Sequence, residues 1–240
     1  KFDLKNQIYK RHYISCNTCG HWYSKQKINL KKIYSAEYMK KTYSNQISKT
    51  FEKIISIPNK KSDNFGRIKR IKKFKEIKIS NKKNINILDI GSGLGIFPYS
   101  AKKLGWNCTA IDPDKRAIAH IKKRIGIKTI HGEFMKIKNV KKYNIITLNK
   151  VLEHILDPIS ILKKAKKYLN NDGFVYVEVP DAEEASKGGK NREEFFIDHL
   201  HVFSKSSLIY MCNNAGFQTV QVNRINEPSG KFTLFAFASL

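Results

Sequence analysis

Acidic residues are scarce in this chain. Twenty Asp and Glu stand against 46 Lys and Arg, a formal net charge of +26 over 240 residues. Arginine is scarce too, occurring only at positions 11, 67, 70, 116, 124, 192 and 224, so the excess charge is lysine. It is spread along the chain, as in Lys31-Lys32, Lys72-Lys73, Lys122-Lys123, Lys163-Lys164 and Lys166-Lys167, on segments that read as exposed helix faces. A dedicated nucleic-acid surface is one reading of such charge. The other is a solvated surface whose Lys, Ile and Asn reflect an AT-rich coding sequence, and we take that as the leading one. A basic surface would also attract a small, phosphate-bearing substrate.

Long apolar runs are missing as well. None approaches the ~20 residues of a membrane helix, so no membrane partner is expected. The stretch from Lys1 to Ser15 has no apolar signal segment, and the absence of an initiator Met leads us to expect further sequence upstream. Four cysteines, Cys16, Cys19, Cys108 and Cys212, are too few for a secreted disulfide framework, and a reducing cytoplasm is the expected compartment. With 41% hydrophobic residues the chain can bury a normal core, and its length suits one α/β domain with a small appendage.

There is no internal repeat, and three regions follow one another. Residues 1–35 are polar and aromatic and carry Cys16-Asn17-Thr18-Cys19-Gly20. Residues 36–80 are Lys-rich, with Ile47, Phe51, Ile54 and Ile55, then Ile68, Ile71, Phe74 and Ile77, at helical spacing. They read as two helices broken between Pro58 and Asn64. Residues 81–240 alternate strand and helix patterns, as in a mostly parallel sheet with helices on both faces. Strands are expected near 85–90, 108–111, 127–130, 143–148 and 174–179. Helical patterns follow at 95–104, 114–124 and 151–169, then a loop over 181–194. Ser204 is placed to cap a helix ending at Gly216, and Phe217–Val222 with Phe232–Ala238 reads as an antiparallel closing pair.

The most informative stretch is Leu88-Asp89-Ile90-Gly91-Ser92-Gly93-Leu94-Gly95-Ile96-Phe97, where a buried strand turns into a helix. Glycines at this density let a ligand lie against bare backbone, and the helix start supplies unpaired N–H groups. A dinucleotide fingerprint, Gly-x-Gly-x-x-Gly, would need glycine at Ile96, and the chain has Gly95 instead. In open α/β sheets ligands bind beyond the carboxyl ends of the strands. The candidate polar residues all fall there: Asp89, Asp112 before Pro113, Glu133 within His131-Gly132-Glu133-Phe134, and Asn149.

The glycine spacing led by Asp89 resembles the first motif of class I S-adenosylmethionine-dependent methyltransferases. Tyr143 to Pro158, with Asn149-Lys150-Val151-Leu152-Glu153-His154, resembles the fourth motif of their small-molecule members. Asp198-His199-Leu200-His201-Val202-Phe203-Ser204 is similar to a later signature of the subgroup that modifies sugars and related metabolites. The resemblance implies a seven-stranded Rossmann-like sheet over residues 81–240, mostly parallel with an antiparallel closing strand. It also implies a cofactor site of Asp89, Gly91, Ser92, Gly93, Gly95, Asp112, Pro113, Glu133, Phe134 and Asn149. Asp112 would accept the ribose hydroxyls, Glu133 or the Phe134 backbone would lie near the adenine, and Asn149 would lie beside the sulfonium. His199 is the leading candidate base and His154 the second, because an imidazole suits proton removal near neutral pH. Packing is the alternative for both. Where the subgroup often carries Tyr before its acidic-His pair, this chain has Phe196.

Cys16 and Cys19 have the spacing of half a zinc site, and zinc needs four ligands. Related proteins often carry an N-terminal zinc ribbon followed by Tyr-rich sequence, as in Tyr34-Ser35-Ala36-Glu37-Tyr38 here, so residues 1–35 resemble part of such a ribbon. His12 or His21 would complete a site, and no bound zinc is the alternative. The expected function is methyl transfer to a small metabolite such as a nucleotide-linked sugar or glycan precursor. The rivals are an RNA or DNA methyltransferase, a non-catalytic cofactor-binding protein and a nicotinamide-dependent oxidoreductase. An enzyme methylating the amino group of a base would be expected to show Asn/Asp-Pro-Pro-aromatic where this chain reads Asn149-Lys150-Val151-Leu152.

Overall fold

The computed structural model describes residues 12–25, 46–80, 82–138, 141–189 and 191–240. Around Cys16 and Cys19 the chain forms a hairpin of β1 (Tyr13–Ser15) and β2 (Trp22–Ser24). The Lys-rich region forms α1 (Ile47–Ile55) and α2 (Asp63–Lys78), separated by a 3-10 turn at Asn59–Lys61. Ser62 caps α2 by accepting the Phe65 N–H. Of the apolar residues assigned to α2, Ile68, Ile71 and Phe74 are buried but Ile77 is 74% exposed. Steps of three lag behind the helical turn by roughly 60° each, so Ile77 lies about 180° round from Ile68.

Strand and helix then alternate: β3 (Asn86–Ile90), α3 (Ile96–Lys103), β4 (Asn107–Asp112), α4 (Lys115–Arg124), β5 (Lys128–His131) and β6 (Tyr143–Asn149). The expected helix over 151–169 divides into a 3-10 turn, Leu152–His154, and α5 (Pro158–Lys167). Asp157 caps Ser160 N and Pro158 takes the first helical turn, where its missing N–H costs nothing, so the helix restarts there. Next come β7 (Leu169–Pro180), α6 (Ala182–Lys187), β8 (His201–Val202), α7 (Lys205–Asn214), β9 (Gln218–Asn226) and β10 (Phe232–Ser239). The segment read as a loop over 181–194 thus holds a helical turn and a half, capped by Asp181.

Seven strands form one sheet in the order β5-β4-β3-β6-β7-β10-β9. Only β10 runs against the rest, pairing antiparallel with both β7 and β9. The expected fold class is borne out. Successive side chains on a strand point to opposite faces, and the two cores separate on that rule. Ile146, Val175, Val177, Ala236 and Ala238 join α5 and α7, whereas Ile145, Phe174, Tyr176, Phe235 and Phe237 join α2 and α3. A third cluster ties α1 and α4 together through Phe51, Leu94 and Ile121. Both faces are covered, which is why the strands read as continuous apolar runs.

The hairpin forms a second sheet, β1-β2-β8. Trp22 pairs with Val202 and Tyr23 with His201. Tyr13 and Trp22 pack on Phe195 and Val202. Among the described residues no helix is long and apolar enough to cross a membrane.

Candidate active site

The strand ends converge where β3 gives way to α3. Gly91, Gly93 and Gly95 have φ of 72°, 52° and 76°, a region that L side chains rarely enter. Two of them also make room for protein. A Cβ on Gly91 would meet Val151 Cγ2 at 2.6 Å, and one on Gly95 would meet Ile125 Cδ1 at 2.6 Å and Ile121 Cγ1 at 2.7 Å. Gly95 is therefore needed for packing against α4, in addition to its turn. The Gly91 and Ser92 N–H groups donate to Ile111 O at 2.8 and 3.1 Å, which laces the loop to β4.

Asp112 closes the loop from the other side. Its Oδ2 accepts the Gly93 N–H and its Oδ1 the Asp114 N–H, both at 2.8 Å. A carboxylate oxygen has two lone pairs, so each still has one for a hydroxyl. Burial raises the Asp112 pKa above the ordinary carboxylate value, against the pull of these N–H groups. Pro113 is exposed, and its carbonyl faces His131 Nε2 at 3.1 Å.

Asp89 is 2% exposed. Its Oδ1 accepts from Thr147 Oγ1 at 2.6 Å and Asn149 Nδ2 at 2.9 Å, and burial pushes its pKa up to about 6. The Asn149 amide oxygen is buried with no hydrogen-bond partner among the described residues. An unsatisfied acceptor beside Asp89 fits the ammonium end of S-adenosylmethionine, as the open lone pairs of Asp112 fit a ribose. Glu133 is exposed and pairs with Lys136 at 2.9 Å. The Phe134 side chain is buried against Tyr168, which leaves only its backbone to line an adenine site.

A second group gathers at the ends of β6 and β8. His199 Nδ1 lies 2.8 Å from Glu194 O. A carbonyl only accepts, so Nδ1 carries the hydrogen and Nε2 holds the lone pair. Burial and neighbouring His154 lower the His199 pKa to about 4, so the ring is neutral at pH 7. His154 Nδ1 lies 3.0 Å from Asp198 O, and the two rings meet edge to face at 4.9 Å. Glu153 is 1% exposed and its Oε2 has no hydrogen-bond partner among the described residues. Ligand atoms of Glu153, His154 and His199 lie within 4.8 Å of one another, a group able to hold a metal ion. The structure thus brings the two candidate bases together.

Cys16 and Cys19 sit at the tip of the hairpin, where backbone N–H groups of Cys19 and Thr18 lower the Cys16 pKa. Among the described residues no third His, Cys, Asp or Glu joins them in a metal-holding group. His21 is engaged elsewhere, with Nε2 3.0 Å from His201 Nδ1. Tyr34 and Tyr38 lie outside the described residues.

One network has no counterpart among the residues singled out in the sequence. Glu178 on β7 is fully buried and accepts from Arg67 Nε at 2.9 Å, Arg70 Nη2 at 2.7 Å and the Tyr176 hydroxyl. The two guanidinium groups hold its pKa down to about 2 against burial. This ties α2 to the sheet beside Asn149, which pairs with Glu178 in register. Two of only seven arginines spaced three apart on one helix were the available signal, since arginine is the residue suited to buried, bidentate pairing.

The sheet order and the glycine loop are those of the class I S-adenosylmethionine-dependent methyltransferase fold. Residues 62–222 match the family model described as "Methyltransferase domain", and the chain belongs to that family. The ubiquinone biosynthesis O-methyltransferase of Hydrogenovibrio crunogenus is 34% identical over 117 residues, 46% of this chain and 46% of that protein. The protein of the same name from Pelagibacter ubique is 34% identical over 116 residues, 45% of this chain and 47% of that one. The chain spans about half the length of these curated relatives. The plantazolicin methyltransferase BpumL shares the fold at a TM-score of 0.64 and 16% identity, over 88% of this chain and 96% of its own.

Proposed function

We propose that this protein transfers the methyl group of S-adenosylmethionine to a hydroxyl of a small metabolite, with His199 as the general base. The observation that carries the reading is the His199 ring, neutral and with its Nε2 lone pair set by the Nδ1 bond to Glu194 O. A hydroxyl acceptor is supported by the O-methyltransferase names of the relatives. The cofactor's sulfonium supplies the methyl group and departs as a neutral thioether.

The chain's own residues supply position and proton removal. Asp112 holds the ribose, the backbone around Gly91 and Gly93 lies against the methionine part with Asp89 and Asn149, and the Phe134 backbone borders the adenine. His199 takes the acceptor's proton, and His154 packs on its ring and keeps it in place. Within this reading, a nucleotide-linked sugar or glycan precursor in the cytoplasm is the acceptor favoured by the Asp198–Ser204 segment. A chain this rich in lysine would draw in a phosphate-bearing substrate. Tritiated-methyl transfer into fractionated metabolites, with identification of the labelled product, tests the proposal. A labelled small hydroxyl compound is the expected product. Label in RNA, DNA or protein alone, or none in any pool, would overturn it.

A further inference from the structure

An open groove of about 760 Å³ runs between α5 and the segment that follows β5. Lys163, Lys164 and Lys167 line it from α5, and Lys136 and Lys138 from the other wall. No carboxylate is among its lining residues. Met135, Ile137 and Tyr168 give it apolar surface, and Met135 is 46% exposed. The volume is within the roughly 300–1,000 Å³ usual for small-ligand sites.

Part of this charge has a local cause. Lysines in the last turn of a helix complement its dipole, and Lys164 and Lys167 are so placed. The dipole does not account for Lys136 and Lys138, which come from another segment. Lys136 is paired with Glu133 at 2.9 Å, and Lys163 feels the Asp157 carboxylate that caps α5. Lys164 is held in place, donating to Met135 O at 2.7 Å and Ile137 O at 2.6 Å, which leaves one of its three donors. Burial and the charges of Lys167 and Lys138 lower its pKa, so like charges from both walls meet there. Like charges three and four apart on a helix also repel, as Lys164 and Lys163 do with Lys167. A polyanion in the groove would relieve that repulsion. Lysine serves phosphate as a compact point charge, whereas planar carboxylates favour the arginine fork, and no arginine lines the groove.

We propose that this groove binds a nucleoside triphosphate, with the phosphate chain between the two lysine walls and the base laid on Met135 and Tyr168. The groove shares no lining residue with the candidate base or the cofactor site, so the inference stands apart from the proposed methyl transfer.

The test is calorimetry of adenosine triphosphate binding to the full chain saturated with S-adenosylhomocysteine, at one fixed salt concentration. The saturating ligand closes the cofactor site to the adenine. We expect saturable one-to-one binding, tighter than that of inorganic tripolyphosphate. Lys163→Glu with Lys167→Glu should weaken it by about tenfold or more, the loss expected when charged hydrogen bonds go. Lys122→Glu with Lys123→Glu makes the same change of charge on exposed lysines at the end of α4. Being screened from the groove, it should weaken binding by less than about twofold. Cooperative urea unfolding shows that each variant is folded. Equal losses in the two variants, or no saturable binding, would overturn the inference, as would tripolyphosphate binding as tightly as the nucleotide. Tighter, equally groove-dependent binding of a single-stranded RNA tetramer would overturn it in favour of a nucleic-acid surface. Failure of S-adenosylhomocysteine to bind would instead overturn the methyltransferase reading.

Discussion

His21 Nε2 lies 3.0 Å from His201 Nδ1, a contact between residues 180 apart in sequence. It joins the Cys16–Cys19 hairpin to the strand that follows His199, and the two rings are 5.2 Å apart between centroids. Tyr13 reinforces it, its hydroxyl lying 3.0 Å from both Phe196 O and His199 O. The hairpin therefore braces the turn that carries the candidate base.

That contact has an acid limit. Burial and the His201 charge lower the His21 pKa to about 4, below its ordinary value of 6.5. The unfolded chain then binds the proton more readily, so the contact's stabilisation is complete above pH 6.5 and is lost as pH falls through 4. Trp22 packs on Phe195 with centroids 5.3 Å apart and reports on the docked hairpin. In a Trp106→Phe background, its fluorescence should hold near pH 6 and change as pH approaches 4. A transition centred at 6.5 would contradict the buried pair.

Asp112→Ala should weaken S-adenosylhomocysteine binding by on the order of 1–3 kcal/mol, since the hydroxyls lose a charged acceptor. The variant also releases the Gly93 and Asp114 N–H groups. Calorimetry at one salt concentration measures the effect, and unchanged affinity would remove Asp112 from the site.

His199→Ala should lower turnover by about 10²–10⁴-fold while sparing cofactor affinity. The His199 pKa of about 4 also sets the pH profile. The acid limb of kcat/KM should lie near pH 4 and not near 6.5, because the base is already neutral above it. A fully active variant would discard His199 as the base.

Gly95→Ala and Gly105→Ala separate packing from backbone strain. Both glycines have φ near 75°, but a Cβ at 95 strikes Ile121 and Ile125, while at 105 nothing lies within 4 Å. Gly105→Ala should cost about 1–2 kcal/mol, the left-handed penalty alone. Gly95→Ala should cost roughly 1–3 kcal/mol more for the overpacking. Urea unfolding of the two variants gives the difference, and equal losses would show that the α4 contact relaxes freely.

The glycine loop shows how far local sequence could be read. Its place between strand and helix was legible in the apolar run before it and the spacing within it. The reason for Gly95 was not, because Ile121 and Ile125 come from a later helix and no neighbouring residue announces them. The break at Asp157-Pro158 was legible in kind, as a cap followed by proline, but the 3.6-residue pattern ran across it. Ile77 shows the opposite error, an apolar residue at a helical interval that turns away from the core as three-residue steps accumulate.

By itself the sequence determined the seven strands of the main sheet in their chain order, the two-sided burial of that sheet and the residues at its carboxyl ends. Those follow from side-chain periodicity and turn chemistry, which act over a few residues. Only the tertiary structure decided that the N-terminal hairpin pairs with β8, that Arg67 and Arg70 neutralise Glu178, and that Glu153, His154 and His199 meet. Each of these joins segments far apart in the chain. Such pairings are set by shape, charge and desolvation when the layers close, and they leave no repeating mark in the sequence.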